Sequence, residues 1–469
     1  MSRPQRLFRE RVRKIHFIGV GGIGMSGIAE ILIDLGYTVT GSDLRKNENT
    51  ERLEKKGATI FEGHRGENVV NAHVVVKSSA VRDDNPEIIM ARDLKIPVIP
   101  RAEMLAELMR FSDGIAVAGT HGKTTTTSLM ATILQEAQAE ATVIIGGKLN
   151  SLGSNAKTGT GKIMLVEADE SDRSFLFLRP MVNIVTNIDQ EHMENYSDFN
   201  DLKHCFRSFM SSVPFYGFNI VCADNEHLMN VAQTVHRKIV TYGQSIHANY
   251  RAENLETDGL MSTYNVSAHG KEVGKIEIHI PGRHNVLNSL GCVACSLELG
   301  LPFESIAKAL KEFEGVDRRF TIKGEYGGIL VVDDYGHHPT EIMATLEAAR
   351  LGYPDRRIIA VFQPHRYSRI VNLFSEFSRA FVNADLIFVS EIYGAGEPPR
   401  ENVNSRRLAD SISRSSRRTA ISTGDPDSTL AELMKTVKTG DLVITLGAGS
   451  ITKVGPSLLE KLKNFNKNI

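Results

Sequence analysis

The stretch Ile115–Thr127, IAVAGTHGKTTTT, constrains this chain more than any other. A short apolar, β-branched run, Ile115–Ala118, ends in Gly119. Gly122, Lys123 and a run of threonines follow, and Ser128–Leu134 reads as helix. Strand, glycine turn, Lys-Thr and helix together form a phosphate cradle. The backbone N–H groups of the turn and of the helix N-terminus point at an anion. Lys123 can reach the β- and γ-phosphates, and the Thr124 hydroxyl can sit on Mg²⁺. The spacing is G-x-x-G-K-T, shorter than the usual G-x-x-x-x-G-K-[ST].

At about 150 residues per domain, a chain of 469 residues suggests about three domains. A hydrophobic fraction of 41% with 24% charged residues lets each domain have its own core. The net charge of −1 gives no sign of nucleic-acid or membrane binding, so an anionic ligand must be met by local clusters. Four cysteines in so long a chain make no disulfide framework and suggest a reducing compartment. Cys292 and Cys295 sit in a helical pattern and read as buried packing. No run reaches the roughly 18–20 apolar residues that cross a bilayer. The basic N-terminus, RPQRLFRERVRKI, breaks into glycines too soon for a signal peptide. The expectation is a cytoplasmic protein, monomer or homodimer.

The chain begins with a strand at Ile15–Val20, and the loop Gly19–Gly24 fits G-x-G-x-x-G before a helix at Ser26–Leu35. A second strand leads to Asp43. This is the dinucleotide fingerprint, yet its physical content is only close approach of backbone to a diphosphate. A nucleotide-sugar diphosphate satisfies it as well as NAD. Strands and helices then alternate to about Phe111–Gly114, as in a parallel sheet covered by helices. After the phosphate loop, strand Ile163–Val166 runs into EADESD. Acidic residues at a strand's carboxyl end beside a phosphate loop are where a metal ligand is expected, above all Glu167. Strand Asn183–Thr186 runs into NIDQEH, which makes His192 a second ligand candidate. Residues 249–280 alternate with period two and read as a small antiparallel insertion. GRHNVLN then opens a helix whose Asn and His side chains can read a base edge or simply cap the helix. From about Phe320 a third α/β unit carries DDYGHHPT and QPHRYSR at strand ends. The expected fold is α/β with an N-terminal Rossmann-like domain (1–112), a central P-loop-type mononucleotide-binding domain (113–319) and a C-terminal Rossmann-like domain (320–469). Polar clusters at strand ends in all three imply a site built between domains.

IHFIGVGGIGMSGIAEIL, AVAGTHGKTTT, EADESD, NID…EHM, PGRHNVLN, DRRF, DDYGHHPTEI and QPHRYSR occur in the order found in the Mur ligases, and the chain resembles that family over nearly its whole length. The resemblance implies a sugar-nucleotide substrate, UDP-N-acetylmuramate, held at Gly21, Gly22, Ile23, Gly24, Ser42 and Asp43. It implies ATP at Gly119, Thr120, His121, Gly122, Lys123, Thr124 and Thr125, with adenine contacts at His284, Asn285 and Asn288. Arg319 and Asp334 match positions that meet phosphate and ribose. Mg²⁺ falls to Thr124, Glu167 and His192. His365, Arg366 and Arg369, with His338, match the region near the muramyl carboxylate and the amino acid, L-alanine. Lys123, Glu167, His192, His338 and Arg366 are then the expected catalytic group. Glu191, Arg173 and Ser450 depart from the residues most usual beside these motifs.

The implied chemistry is attack of a carboxylate on the γ-phosphate of ATP, then attack of an amine on the acyl phosphate. The charge to be stabilised is negative and sits on oxygens, which suits amides, Lys123, Mg²⁺ and arginines. The amine must lose a proton, to His338, His365 or water. A nicotinamide-dependent oxidoreductase, a nucleotide-driven switch and another ligase of the same family are the rival readings, and the first-loop sequence GVGGIGMSGIAE counts against the last. The first leaves the Gly-Lys-Thr loop without a role, and the second lacks an obvious partner surface.

Overall fold

The computed structural model describes residues 12–146 and 156–465. Three sheets organise them, and they make a three-domain α/β fold. The chain also divides into two compact units. One holds residues up to 253 with 265–276 and 287–313, and the other holds 254–264, 277–286 and 314 onward. The basic N-terminal residues 1–11 lie outside the described residues.

The first sheet contains β1 (Lys14–Ile18), β2 (Thr38–Asp43), β3 (Thr59–Glu62), β4 (Val74–Lys77) and β5 (Val98–Pro100), in the order β3-β2-β1-β4-β5. All its pairings are parallel. The chain leaves β1 towards β2 and later returns to β4 on the opposite side. The carboxyl ends of β1 and β4 therefore flank a topological switch point. Ile18, Val69, Val75, Ile88 and Ala91 form part of the packed core. The glycine-loop helix is Ile23–Asp34, and Gly22 caps it without a side-chain hydrogen bond.

The second sheet holds β6 (Asp113–Ala118), β7 (Thr142–Ile144), β8 (Ala156–Lys157), β9 (Ile163–Glu167), β10 (Val182–Val185), β11 (Phe218–Cys222), β12 (Lys238–Gly243), β13 (Tyr250–Asp258), β14 (Met261–Ala268) and β15 (Lys271–Ile278). Its order is β15-β14-β13-β12-β11-β10-β6-β9-β7-β8. β6 lies between β10 and β9 and is parallel to both, so three strand ends meet around the phosphate loop. The connections β13–β14 and β14–β15 are too short for a crossover, so these strands run antiparallel, in line with the sequence pattern. The helix after the loop is Lys123–Glu136 and starts earlier than its threonine run suggests. Thr125, Thr126, Thr127 and Ser128 are buried in it, and Thr127 Oγ1 donates to Lys123 O at 2.8 Å. Tertiary burial outweighs the weak helix propensity of β-branched residues.

The third sheet runs β16 (Thr321–Tyr326), β17 (Ile329–Asp334), β21 (Asp441–Leu446), β18 (Arg357–Phe362), β19 (Leu386–Ser390) and β20 (Thr419–Gly424). Only the edge pair β16–β17 is antiparallel. Alternate residues feed opposite faces: Val332, Ile358, Phe362 and Ile444 pack on one side, and Val331, Ile359, Val361 and Val443 on the other. Two short helices follow β18, Tyr367–Asn372 and Phe374–Arg379, and the chain breaks between them at Leu373 with φ −120°.

Candidate active site

The two loop glycines are set by sterics. Gly119 has φ +138°, and a Cβ there would lie 2.0 Å from Thr186 Oγ1. Gly122 has φ +82° as the left-handed cap of helix Lys123–Glu136, and its Cβ would lie 2.7 Å from Asn288 Oδ1. Asn288 therefore lies against the loop. The loop is strapped to the segment after β10. His121 N donates to Asn187 Oδ1 at 2.8 Å, Asn187 Nδ2 to His121 O at 3.0 Å, and Thr186 Oγ1 to the same carbonyl at 2.6 Å. Asp189 N donates to Thr120 Oγ1 at 2.9 Å.

Lys123 opens the helix. Its Nζ donates to the carbonyls of Gly119 (2.8 Å) and Thr120 (3.1 Å) and pairs with Glu170 at 2.7 Å. Burial disfavours the ammonium, but Glu170, Asp169 and Glu167 outweigh it and hold the Lys123 pKa above its ordinary value. Burial pushes the Glu170 carboxyl up to about 7 against the pull of Lys123. Tyr196 donates its hydroxyl to the Glu170 carbonyl. Sequence reasoning missed Glu170 as the lysine's partner, although it stands in the same EADESD run.

Thr124 and Glu167 come together as expected. Thr124 Oγ1 donates to Glu167 Oε1 at 3.0 Å, and Gly146 N to Glu167 Oε2 at 2.8 Å. A hydroxyl and a carboxylate side by side at a strand end are the hard oxygen donors that suit Mg²⁺. His192 follows in the left-handed region at φ +56°, with its Nδ1 4.0 Å from Glu194. The imidazole tied into carboxylates here is His121, with Nε2 3.0 Å from Asp189 and Nδ1 3.8 Å from Glu191.

The glycine loop of the first sheet is closed on itself. Gly21 N donates to Asp43 Oδ2 at 2.8 Å, and Asn47 and Asn49 donate to Gly21 O at 3.2 and 2.9 Å. Ser42 is fully buried and donates to Glu87 Oε2 at 2.6 Å, which also lies 3.0 Å from His64 Nδ1. Asp43 thus orders the loop backbone, and Ser42 belongs to a buried polar network.

In the other unit, Asn285 Nδ2 donates to Pro281 O at 2.7 Å, and His284 packs under Gly282, where a Cβ would lie 2.6 Å from its Cε1. Asp334 accepts from Phe320 N (2.8 Å), Gly336 N (2.7 Å) and Thr345 Oγ1 (3.2 Å). Burial raises its pKa despite Arg319 and these amides. Arg319 lies 3.7 Å from Glu341. His338 caps helix Pro339–Gly352 and accepts the Thr340 N–H at Nδ1, 3.3 Å away. Arg369 donates to His365 Nδ1 at 3.0 Å, and His365 stacks on Tyr393. An amide or a guanidinium can only donate, so both imidazoles carry their proton on Nε2. Arg366 heads helix Tyr367–Asn372 at φ +65° and donates its N–H to Tyr393 O at 2.9 Å.

A phosphate loop with both glycines sterically required, a half-buried lysine and an acidic strand end define a nucleotide-using α/β enzyme. Residues 14–112 match the Mur ligase family catalytic domain, 117–296 the Mur ligase middle domain and 318–449 the Mur ligase glutamate ligase domain. The chain belongs to the Mur ligase family. It is 51% identical over 453 residues to the UDP-N-acetylmuramate–L-alanine ligase of Geotalea daltonii, covering 97% of this chain and 99% of that one. The enzyme of the same name from Myxococcus xanthus is 50% identical, with 98% of each chain covered. The crystal structure of the UDP-N-acetylmuramate-alanine ligase of Thermotoga maritima superimposes with a TM-score of 0.79 at 31% identity, covering 96% of this chain and 99% of that one.

Proposed function

We propose that this chain joins L-alanine to the lactyl carboxylate of UDP-N-acetylmuramate with hydrolysis of ATP to ADP and phosphate, a step in making peptidoglycan precursors. The observation that carries this reading is the Lys123 loop beside Glu167, on a chain half identical end to end to ligases of that name. A carboxylate oxygen of the muramyl group attacks the γ-phosphorus in line. The bond from that phosphorus to the β–γ bridging oxygen breaks, giving ADP and an acyl phosphate. The alanine amine attacks the acyl carbon, loses a proton, and phosphate leaves.

The chain's own residues account for the charge. Lys123 and the loop amides hold the transferring phosphoryl group. Thr124 and Glu167, with His192 as a further ligand, would hold Mg²⁺, and a bound ion would supply positive charge to the phosphate oxygens. His284, Asn285 and Asn288 receive the adenine, and Arg319 and Asp334 the phosphate and ribose. Arg366 and Arg369 offer guanidinium forks to carboxylates. His338 and His365 present N–H groups, so they serve as donors to an anion, and the amine's proton passes to water or to the leaving phosphate. The sugar nucleotide belongs to residues 1–112, ATP to 113–319 and the amino acid to 320–469. Among the described residues no helix is long and apolar enough to cross a membrane; we propose a cytoplasmic enzyme, monomer or homodimer.

Phosphate release tests this, with UDP-N-acetylmuramate and ATP present and amino acids screened one at a time. Release that depends on both the sugar nucleotide and L-alanine is the expected result. Release that needs neither contradicts the reading.

A further inference from the structure

We infer that Arg173 is a positioning residue: it straps the turn that carries His192 to the acidic strand end of β9, and so fixes the spacing of the groups that would hold Mg²⁺. No motif spacing singles it out. β9 and β10 are not neighbours in their sheet, because β6 lies between them and pairs with both. The last rungs onto β6 run from Ala168 N to Val117 O and from Thr186 N to Ala118 O. Beyond them the two segments leave the sheet on either side of the phosphate loop. Asn187 and Asp189 tie the second segment to that loop. His192 lies further on, in the left-handed region at φ +56°, and its distance from the acidic strand end must be set by side chains.

Side chains from both segments join them. Tyr196 donates its hydroxyl to Glu170 O, and Asn195 Nδ2 donates to Ser171 O at 2.8 Å. Arg173 Nε donates to Asn195 O at 2.8 Å, and Arg173 Nη2 pairs with Asp201 in the first turn of helix Phe199–Ser211. Asp201 is itself held, since it accepts the Ser197 N–H at 3.0 Å. The Arg173 guanidinium lies 4.7 Å from the centre of the Tyr196 ring. Arg173 thus engages a carbonyl, a carboxylate and a ring of the His192 segment at once. An exposed ion pair alone contributes little, and this side chain is 39% exposed. Here, however, a planar fork spans two acceptors and stacks on a ring, which fixes orientation in a way a lysine ammonium cannot. The backbone is committed too. Arg173 stands at φ +63°, uncommon for a residue with a Cβ, and its N–H donates at 3.0 Å to Glu170 O, the carbonyl that also receives Tyr196.

The strap acts at both of its ends. On one side it fixes the backbone of Glu170, whose carboxylate pairs with Lys123 Nζ at 2.7 Å. On the other, Asn195 N donates to His192 O at 3.0 Å, so an anchored Asn195 decides where the His192 turn lies. A group that orients a metal ligand without touching the ion typically changes metal affinity or activity by about 10- to 100-fold.

This inference rests on the reading of Thr124, Glu167 and His192 as the metal ligands of a nucleotide site, and the test separates the two. Binding of a non-hydrolysable ATP analogue is measured by calorimetry with Mg²⁺ and with a chelator, for wild type, Arg173→Ala and Arg173→Lys. Wild type binds the analogue more tightly with Mg²⁺. In Arg173→Ala that gain falls about 10-fold, the loss expected when a metal ligand is no longer oriented. The metal-free affinity and the KM for UDP-N-acetylmuramate stay within about twofold of wild type. Arg173→Lys, which keeps one charged donor, recovers part of the gain. A gain equal to that of wild type in the folded alanine variant overturns the inference and leaves Arg173 a stability contact. An equal loss with and without Mg²⁺ overturns it as well, because the whole phosphate loop has then moved. If Arg173→Ala does not fold, Asp201→Asn, which removes the charge at the far end of the strap, decides by the same comparison. A wild type that gains nothing from Mg²⁺ retires the metal reading and the inference with it.

Discussion

Lys123 sits among three carboxylates and two carbonyls, and on the proposed reading its charge is what the phosphoryl group meets. Lys123→Ala is expected to lower kcat by about 10²–10³-fold, the loss typical of one preorganised donor, with the unfolding transition retained. Near-normal turnover in a folded variant would remove the lysine from the chemistry. Gly119→Ala forces a Cβ to 2.0 Å from Thr186 Oγ1 at a φ of +138°. It should cost about 2 kcal/mol or more of stability, read from denaturant midpoints. His365 and His338 receive N–H donors at Nδ1. His365→Gln keeps an N–H donor near the Nε2 position and should retain more activity than His365→Asn, with the pH profile of kcat/KM unmoved. A profile that loses a limb in both variants would make His365 a base. The lysine, the threonine and Glu167 were legible in the sequence because motif spacing and a strand end mark them. Glu170, 47 residues from Lys123, and Asn187, 66 residues from His121, were not, because only the parallel packing of β6 with β9 and β10 brings them in.

At the level of elements, the strand–turn–helix units could be read from periodicity, but strand order could not. The β1–β4 switch point follows from which strands pair, and no local pattern encodes that. The start of helix Lys123–Glu136 was obscured by threonines whose burial decides their state. The buried network beneath β1 and β2 was equally hidden. Glu87 accepts from Ser42 and from Asn68 Nδ2, each at 2.6 Å, and lies 3.5 Å from His16 Nε2. Burial raises its pKa, yet the His16, Ser42 and Asn68 contacts win, and its folded pKa falls below the model-peptide value of 4.5. A depressed carboxylate contributes stability above its unfolded pKa, and that stability is lost as pH falls through the lower folded value. Glu87→Gln should therefore destabilise the protein by about 1–3 kcal/mol at neutral pH and flatten the loss of stability below pH 4.5. An acid limb identical to wild type would show that Glu87 does not carry it.

Across the whole molecule, a net charge of −1 leaves no global field to gather two anionic nucleotides, so on the proposed reading recognition falls to local cations such as Lys123, Arg366 and Arg369. The Gly19–Gly24 loop alone points as well to NAD as to a sugar diphosphate. What separates the readings is the second glycine loop, its lysine and its acidic strand end, which an oxidoreductase leaves idle. The most direct measurement is the mass of the product formed from UDP-N-acetylmuramate, ATP and L-alanine, with ADP and phosphate counted in the same reaction. The predicted result is a sugar nucleotide heavier by one alanyl residue, formed one for one with ADP and phosphate. ATP hydrolysis at full rate with the sugar nucleotide unchanged in mass would contradict it.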